Sequence, residues 1–252
     1  MSELIILGSS NAVPSIDHEN THMVLADSTG LILIDCPGNP MVRLKQAGLD
    51  PLDLEHLVLT HFHPDHISGA PSLLMQSWLI GRKKPLAIHG LTYTLDRLIK
   101  NMELYEWQSW PGLYPIHFYE IPEVEHSLVL ENQSLRLIAS PVQHMVPTIG
   151  LRFEFLKSQR VLAYSCDTEP CAAVVRLAQQ ADLLIHEATG ASRGHSSASQ
   201  AGEIASETNA KRLALIHYPS DHHSNPQSLV DAAQKTFPNE VILAEDFMRF
   251  DF

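Results

Sequence analysis

The decapeptide THFHPDHISG (60–69) narrows the folds open to this chain more than any other segment. It follows the apolar run LEHLVLT (54–60), which predicts a strand, so everything from His61 onward leaves that strand's C-terminal end. Residues 61–66 hold three histidines and an aspartate in the order His-x-His-x-Asp-His. In a loop at that point, His61 and His63 turn toward one centre while Asp65 and His66 reach a neighbouring one. Imidazole and carboxylate suit zinc, and also manganese or iron. Pro64 removes a backbone donor and stiffens the turn. The alternative, a chance polar loop, fits poorly with this density of ligand groups just after LVLT.

Outward from this segment, strands and helices alternate without repeats, low-complexity stretches or a linker. Toward the N-terminus, residues 3–7 read as a buried strand and 22–35 as a hairpin turning at Asp27-Ser28-Thr29-Gly30. A short helix is expected over 41–47, stopped by Gly48. Toward the C-terminus, helix is expected over 71–80, with Pro71 near its first position, strand over 85–89 and amphipathic helix over 91–104. A β-rich middle (HFYEI, HSLVLEN, SLRLIAS, GLRFEF, RVLAYS) follows, then helix over 170–180, strand over 182–188 and helix over 197–208. Strand 212–218, helix 226–236 and a last strand 240–246 complete the chain. Two sheets packed face to face with helices outside accommodate this order, as a single domain over 1–252. Metal-type residues fall just beyond strand ends, where α/β proteins assemble their sites.

The segment resembles the hallmark of the metallo-β-lactamase superfamily, His-x-His-x-Asp-His after a buried strand. That resemblance implies an α/β four-layer αββα sandwich with two divalent metal ions, zinc first and manganese or iron as alternatives. It extends along the chain: His144 in PVQHMVPTIGLRF, Asp167 in AYSCDTEP and His217 in LIHYPS match the family's remaining ligands. Taken alone, His144 or His217 reads more simply as a buried hydrogen-bonded histidine, and Asp167 as a helix N-cap. Carried over together, one metal takes His61, His63, His144 and Asp167, and the other takes Asp65, His66, Asp167 and His217. Asp35, ending LILID, matches a strand-end acid that supports ligands without being one. Cys166 reads as a small buried residue.

Several features resemble ribonuclease Z and its phosphodiesterase relatives more than lactamases or glyoxalase II. They are LGSSNAVPS near the start, GRKKPLAIHG (81–90), the His-x-x-Pro-x-x-Gly setting of His144, and HEAT (186–189) followed by His195-Ser196-Ser197. In that branch the last two motifs supply a glutamate and a histidine that handle the leaving-group proton; here these are Glu187 and His195. Asp65 has a second implied role, orienting the nucleophilic water. The expected reaction is attack on a phosphodiester by a metal-bridging hydroxide. Hydrolysis of another ester, such as a sulfate, thioester or lactone, is the alternative from the same ions.

The substrate reading turns on charge and on one missing segment. The formal net charge is -12, which repels a polyanion at long range. Transfer-RNA-processing members of the branch carry an arm between the third histidine and the bridging aspartate, whereas 22 residues separate His144 from Asp167, enough for two strands and a turn. The family's Asp-Cys-Gly-Glu-Gly loop also becomes Asp35-Cys36-Pro37-Gly38-Asn39. A small phosphodiester or nucleotide is therefore expected ahead of RNA, with armless transfer-RNA 3′ processing as the rival. Arg82, Lys83 and Lys84 form a basic cluster that reads equally as a phosphate grip or a solvated turn. Trp78, Trp107, Trp110, Tyr105 and Tyr114 line a substrate pocket, fill the interior or form a subunit contact. His222 and His223 read as surface residues after His217. No apolar run approaches the ~20 residues of a membrane span, and no basic leader opens the chain, so a cytoplasmic protein is expected. Three cysteines at no framework spacing agree with reduced thiols. A homodimer is expected by analogy with the branch.

Overall fold

A computed structural model describes residues 2–220 and 225–252. His222 and His223 lie outside the described residues. Two seven-stranded sheets form the centre. The first contains β1 (Glu3–Gly8), β2 (His22–Asp27), β3 (Gly30–Ile34), β4 (Leu54–Val58), β5 (Leu86–Gly90) and β6 (Ile116–Glu120). The second contains β7 (Ser127–Glu131), β8 (Leu135–Val142), β9 (Thr148–Phe155), β10 (Arg160–Tyr164), β11 (Leu183–Glu187), β12 (Arg212–Ile216) and β13 (Glu240–Leu243). A fourteenth strand, β14 (Arg249–Asp251), returns to the first sheet and pairs antiparallel with β1. The sequence gives 240–246 as the last strand; β14 escapes that reading because only Phe250 of its three residues is buried.

Each sheet is antiparallel in one half and parallel in the other: β3 through β6 run parallel, as do β10 through β13. Helical crossovers cover the parallel halves, so the inner strands there are buried on both faces. β11, LLIHE, is buried at all five positions. Between the sheets, Leu25, Ile34, Phe153, Leu162 and Ile185 belong to one continuous core. On the far side of the first sheet pack α1 (Pro40–Gln46), α3 (Ala70–Leu79) and α4 (Thr92–Glu103), the last turning Leu95, Leu98 and Met102 inward at helical spacing. Against the second sheet lie α5 (Ala172–Leu177), α6 (Ala198–Glu207) and α7 (Pro226–Gln234). This is the expected four-layer αββα order. No described helix is long and apolar enough to cross a membrane.

The His-x-His-x-Asp-His segment is not wholly loop. Pro64–Ile67 forms one helical turn, α2, with Pro64 at its first position, where a missing N–H costs nothing. The turn is clamped to the 35–40 loop: Cys36 N–H donates to the His66 carbonyl at 2.7 Å, and Gly69 N–H donates to the Cys36 carbonyl at 2.8 Å. A Cβ at Gly69 would stand 2.7 Å from the Gly38 carbonyl, so only glycine permits that approach. Arg82 is no phosphate grip. It is 2% exposed, and its guanidinium donates to the carbonyls of Lys84, Leu54 and Pro85 at 2.9, 2.5 and 2.6 Å.

Candidate metal centre

Five strand-end segments converge at one end of the sandwich. His61, His63, Asp65 and His66 follow β4, His144 follows β8, Asp167 follows β10, Glu187 ends β11 and His217 follows β12. The ligand atoms of His61, His63 and His144 lie mutually within 4.8 Å, and so do those of Asp65, His66, Asp167 and His217. All seven residues expected around metal are thus brought together. His61 Nε2 and His144 Nε2 sit 3.0 and 3.1 Å from His63 Nδ1, and His66 Nε2 lies 3.3 Å from His217 Nε2. Asp167 stands between the two groups, its Oδ2 3.9 Å from His61 and His144, 3.5 Å from His66 and 3.4 Å from His217.

The partners behind the imidazoles decide which nitrogen faces inward. His66 Nδ1 donates to Asp35 Oδ2 at 2.8 Å, and His144 Nδ1 donates to the Gly194 carbonyl at 2.7 Å. The Thr60 hydroxyl gives its proton to Asp35 and stands 3.1 Å from His61 Nδ1, from which it accepts. In all three rings Nε2 is therefore the nitrogen aimed at the centre, the one a ligand would use. Asp35 thus stands behind the candidate ligand His66, accepting also from Thr60 N–H at 2.8 Å. Gly194 has φ +82, and a Cβ there would meet the His144 ring at 2.9 Å. Cys166 is fully buried with Sγ 3.7 Å from His61 Nδ1, and the sulfur lies within 4.8 Å of a ring nitrogen of His66 as well.

These residues fit a pair of divalent cations. Asp167 Oδ1 is buried without a hydrogen-bond partner among the described residues, a costly state for a carboxylate oxygen unless it binds a cation. A tetrahedral ion with ~2.0–2.1 Å bonds to nitrogen would hold its ligands roughly 3.3–3.4 Å apart, close to the separations above. The electrostatics agree. Burial, with His66 nearby, holds His61 well below its ordinary value, which keeps it neutral. Burial disfavours charge on Asp167, but His217, His66 and His61 outweigh it and keep the carboxyl well below the usual range. His66 is opposite: burial lowers it, yet Asp167 and Asp35 together lift it well above normal.

Beside this cluster, Glu187 is fully buried. It accepts from His195 Nδ1 at 3.0 Å and from the backbone N–H groups of Ser196 and Thr189 at 2.8 Å. The His195 ring lies 5.0 Å from His144 and 5.9 Å from His217, centroid to centroid. Three residues that end or follow strands here adopt left-handed backbone without being glycine: Asp35 (φ 62), Cys166 (φ 54) and His217 (φ 53). Such conformations cost about 1–3 kcal/mol each and gather at functional sites. The sequence reading overlooked Thr60 and Thr189, though both stand inside motifs it quoted. Of the aromatic group, Tyr114 is interior, and Trp78 stacks on Trp110 with ring centroids 5.2 Å apart.

Two sheets, two outer helical layers and a histidine–aspartate cluster at the strand ends define a metal-dependent hydrolase of the metallo-β-lactamase superfamily, in its ribonuclease Z-like, phosphodiesterase-like branch. A ribonuclease Z from Methanothermobacter thermautotrophicus is 28% identical over 98% of this chain and 96% of its own length. The metallo-β-lactamase-fold protein YhfI from Bacillus subtilis superposes with a TM-score of 0.81 at 20% identity, covering 99% of this chain and 98% of its own. The short form of human tRNase Z superposes with a TM-score of 0.79 at 24% identity, over 99% and 98%. Residues 2–237 match the family described as Anti-Pycsar protein Apyc1, and the chain belongs to that family.

Proposed function

We propose that this chain hydrolyses small phosphodiesters, nucleotides among them, at a dinuclear zinc site. His61, His63, His144 and Asp167 hold one ion, and Asp65, His66, Asp167 and His217 hold the other. Bound divalent ions supply an acidified water and neutralise charge on phosphoryl oxygens. The protein's own part is positional and protonic. Asp65 orients the attacking water. His195, whose basicity Glu187 raises, gives its proton to the departing alkoxide from Nε2.

The observation that carries this reading is the contact at 3.0 Å between Glu187 and His195. An alkoxide is a poor leaving group and needs a proton at departure, whereas the thiolate of a thioester and the aryloxide of an aryl sulfate leave without one. Small substrates are favoured because β9, β10 and their turn alone join His144 to Asp167, and the net charge of -12 opposes a polyanion. RNA is the second reading, favoured by the ribonuclease names of the relatives. A homodimer in the cytoplasm belongs to the same proposal; the cysteines are unpaired, and Leu79, Leu104 and Tyr105 are exposed. The test is metal analysis of purified protein with a panel of bis-p-nitrophenyl phosphate, a cyclic mononucleotide, an aryl sulfate, a thioester and precursor transfer RNA. Turnover confined to the diesters, with two zinc ions per chain, is the expected result. Turnover of the sulfate or thioester alone would overturn it.

A further inference from the structure

His217 is the one proposed ligand whose backbone is left-handed, and one residue holds both its ends. The Thr189 hydroxyl lies 2.7 Å from the His217 carbonyl and 2.8 Å from its Nδ1. A hydroxyl has a single proton to give. Among the described residues it is the only donor to that carbonyl, so giving the proton elsewhere would strand a buried acceptor. The proton therefore goes to the carbonyl, and the hydroxyl oxygen accepts from Nδ1–H. Nε2 is then the nitrogen turned to Asp65 and Asp167 at 3.4 Å, where a cation would stand in place of a second proton. The same residue's N–H donates to Glu187 Oε2 at 2.8 Å, while Glu187 Oε1 holds His195.

We infer that Thr189 is a positioning residue that sets the His217 tautomer, clamps its strained backbone, and ties this ligand to the Glu187–His195 pair. The ligand role of His217 rests on the proposed function above; the tautomer does not. Ser9 supplies the opposing clamp, since His217 N–H donates to its carbonyl at 2.8 Å. Without the Thr189 hydroxyl the His217 carbonyl loses its donor and Nδ1 loses its acceptor. The ring is then free to carry its proton on Nε2, which cannot ligate.

The test is ¹⁵N spectroscopy of histidine-labelled, metal-free protein. His217 is expected as the Nδ1–H form in wild type and in Thr189→Ser, and as a mixture or the Nε2–H form in Thr189→Val. Chelator competition with zinc then reads function. Thr189→Val should weaken the more labile ion at least tenfold and leave the tighter one within threefold, with Thr189→Ser restoring both. A His217 ring in wild type that carries a proton on Nε2 and none on Nδ1 overturns the inference without any variant, so a Thr189→Val that fails to fold does not shelter it. An unchanged tautomer and zinc affinity in a folded Thr189→Val overturns it equally. If wild type binds no transition metal while the tautomer still follows Thr189, the ligand reading fails and the positioning stands.

Discussion

His195 Nδ1 and Glu187 Oε1 meet at 3.0 Å, with the carboxylate sealed from solvent and the imidazole side chain 14% exposed. This asymmetry gives each partner a different task. Glu187 spends its oxygens on His195 and on three backbone N–H groups from two loops, so it is anchored in place. His195 keeps Nε2 free toward the cluster formed with His144 and Asp167. Burial alone would lower its basicity; the Glu187 hydrogen bond and charge, with Asp167 and Asp65, raise it above the ordinary 6.5. A histidine so placed holds its proton more firmly than a free imidazole, as the proposed acid requires.

Replacing His195 by alanine is expected to reduce kcat on a cyclic mononucleotide, whose leaving group is an alkoxide, by about 10²–10⁴-fold, the usual worth of a positioned acid, and far less on bis-p-nitrophenyl phosphate, whose p-nitrophenolate departs without a proton. Both ions should remain, because His195 belongs to neither proposed ligand set. Loss of metal from the variant, read by elemental analysis, would assign it a structural role instead.

The pH dependence follows from the same pair. Activity that requires protonated His195 declines as pH rises through a value above 6.5. In Glu187→Gln the hydrogen bond persists but the charge is gone, so that basic limb should move to lower pH. A limb that stays in place under kcat/KM measurement would show that some other group titrates.

Asp167→Ala is expected to release both ions, since Oδ2 faces imidazoles of both sets and Oδ1 has no protein partner among the described residues. A variant that retains two tightly held ions by calorimetry would contradict the bridge.

A further prediction concerns stability. His22 is fully buried, donates Nδ1–H to the Asn20 carbonyl at 2.8 Å, and leaves Nε2 without a partner among the described residues. Burial drives its pKa from 6.5 down to about 3. Between those values the unfolded chain binds a proton that the folded chain refuses, so stability falls as pH falls. The expected loss is about 2 kcal/mol between pH 6.5 and pH 5. Urea unfolding of chelated wild type and His22→Asn at the two pH values checks it; parallel changes in both proteins would sink the assignment.

Much of this site was legible because its ligands are chemically rare and stand just past apolar runs. Alternation of buried strand and amphipathic helix likewise exposed the layers. What stayed hidden lacks a pattern in one dimension. The α2 turn is four residues behind a proline and reads as loop. β14 owes its place to hydrogen bonds with β1. The left-handed backbone at Asp35, Cys166 and His217 carries no glycine to announce it. Arg82 stands beside two lysines in sequence, but the structure sends its guanidinium inward to carbonyls. Thr60 and Thr189 act through a single hydroxyl proton each, which only a count of donors and acceptors in space reveals.

That count also yields a prediction at Asp35. Its carboxylate accepts from Thr60 N–H, from the Thr60 hydroxyl and from His66 Nδ1–H, each at 2.8 Å at closest. Asparagine has nearly the same shape and tolerates left-handed backbone well, so Asp35→Asn should fold without added strain at φ 62. Its amide offers one accepting oxygen in place of two. If that oxygen keeps Thr60, the NH₂ group faces His66 Nδ1 and favours the Nε2–H tautomer, which has no lone pair for a metal. If it keeps His66 instead, Thr60 loses its acceptor and the proton arrangement behind His61 is disturbed. Either way one ligand is weakened, and the expected cost is about 10–100-fold in metal affinity. Chelator competition measures that cost, and thermal unfolding of the metal-free variant separates it from a loss of fold. Undiminished affinity in a folded Asp35→Asn would mean that the inner imidazoles find their tautomers without this carboxylate.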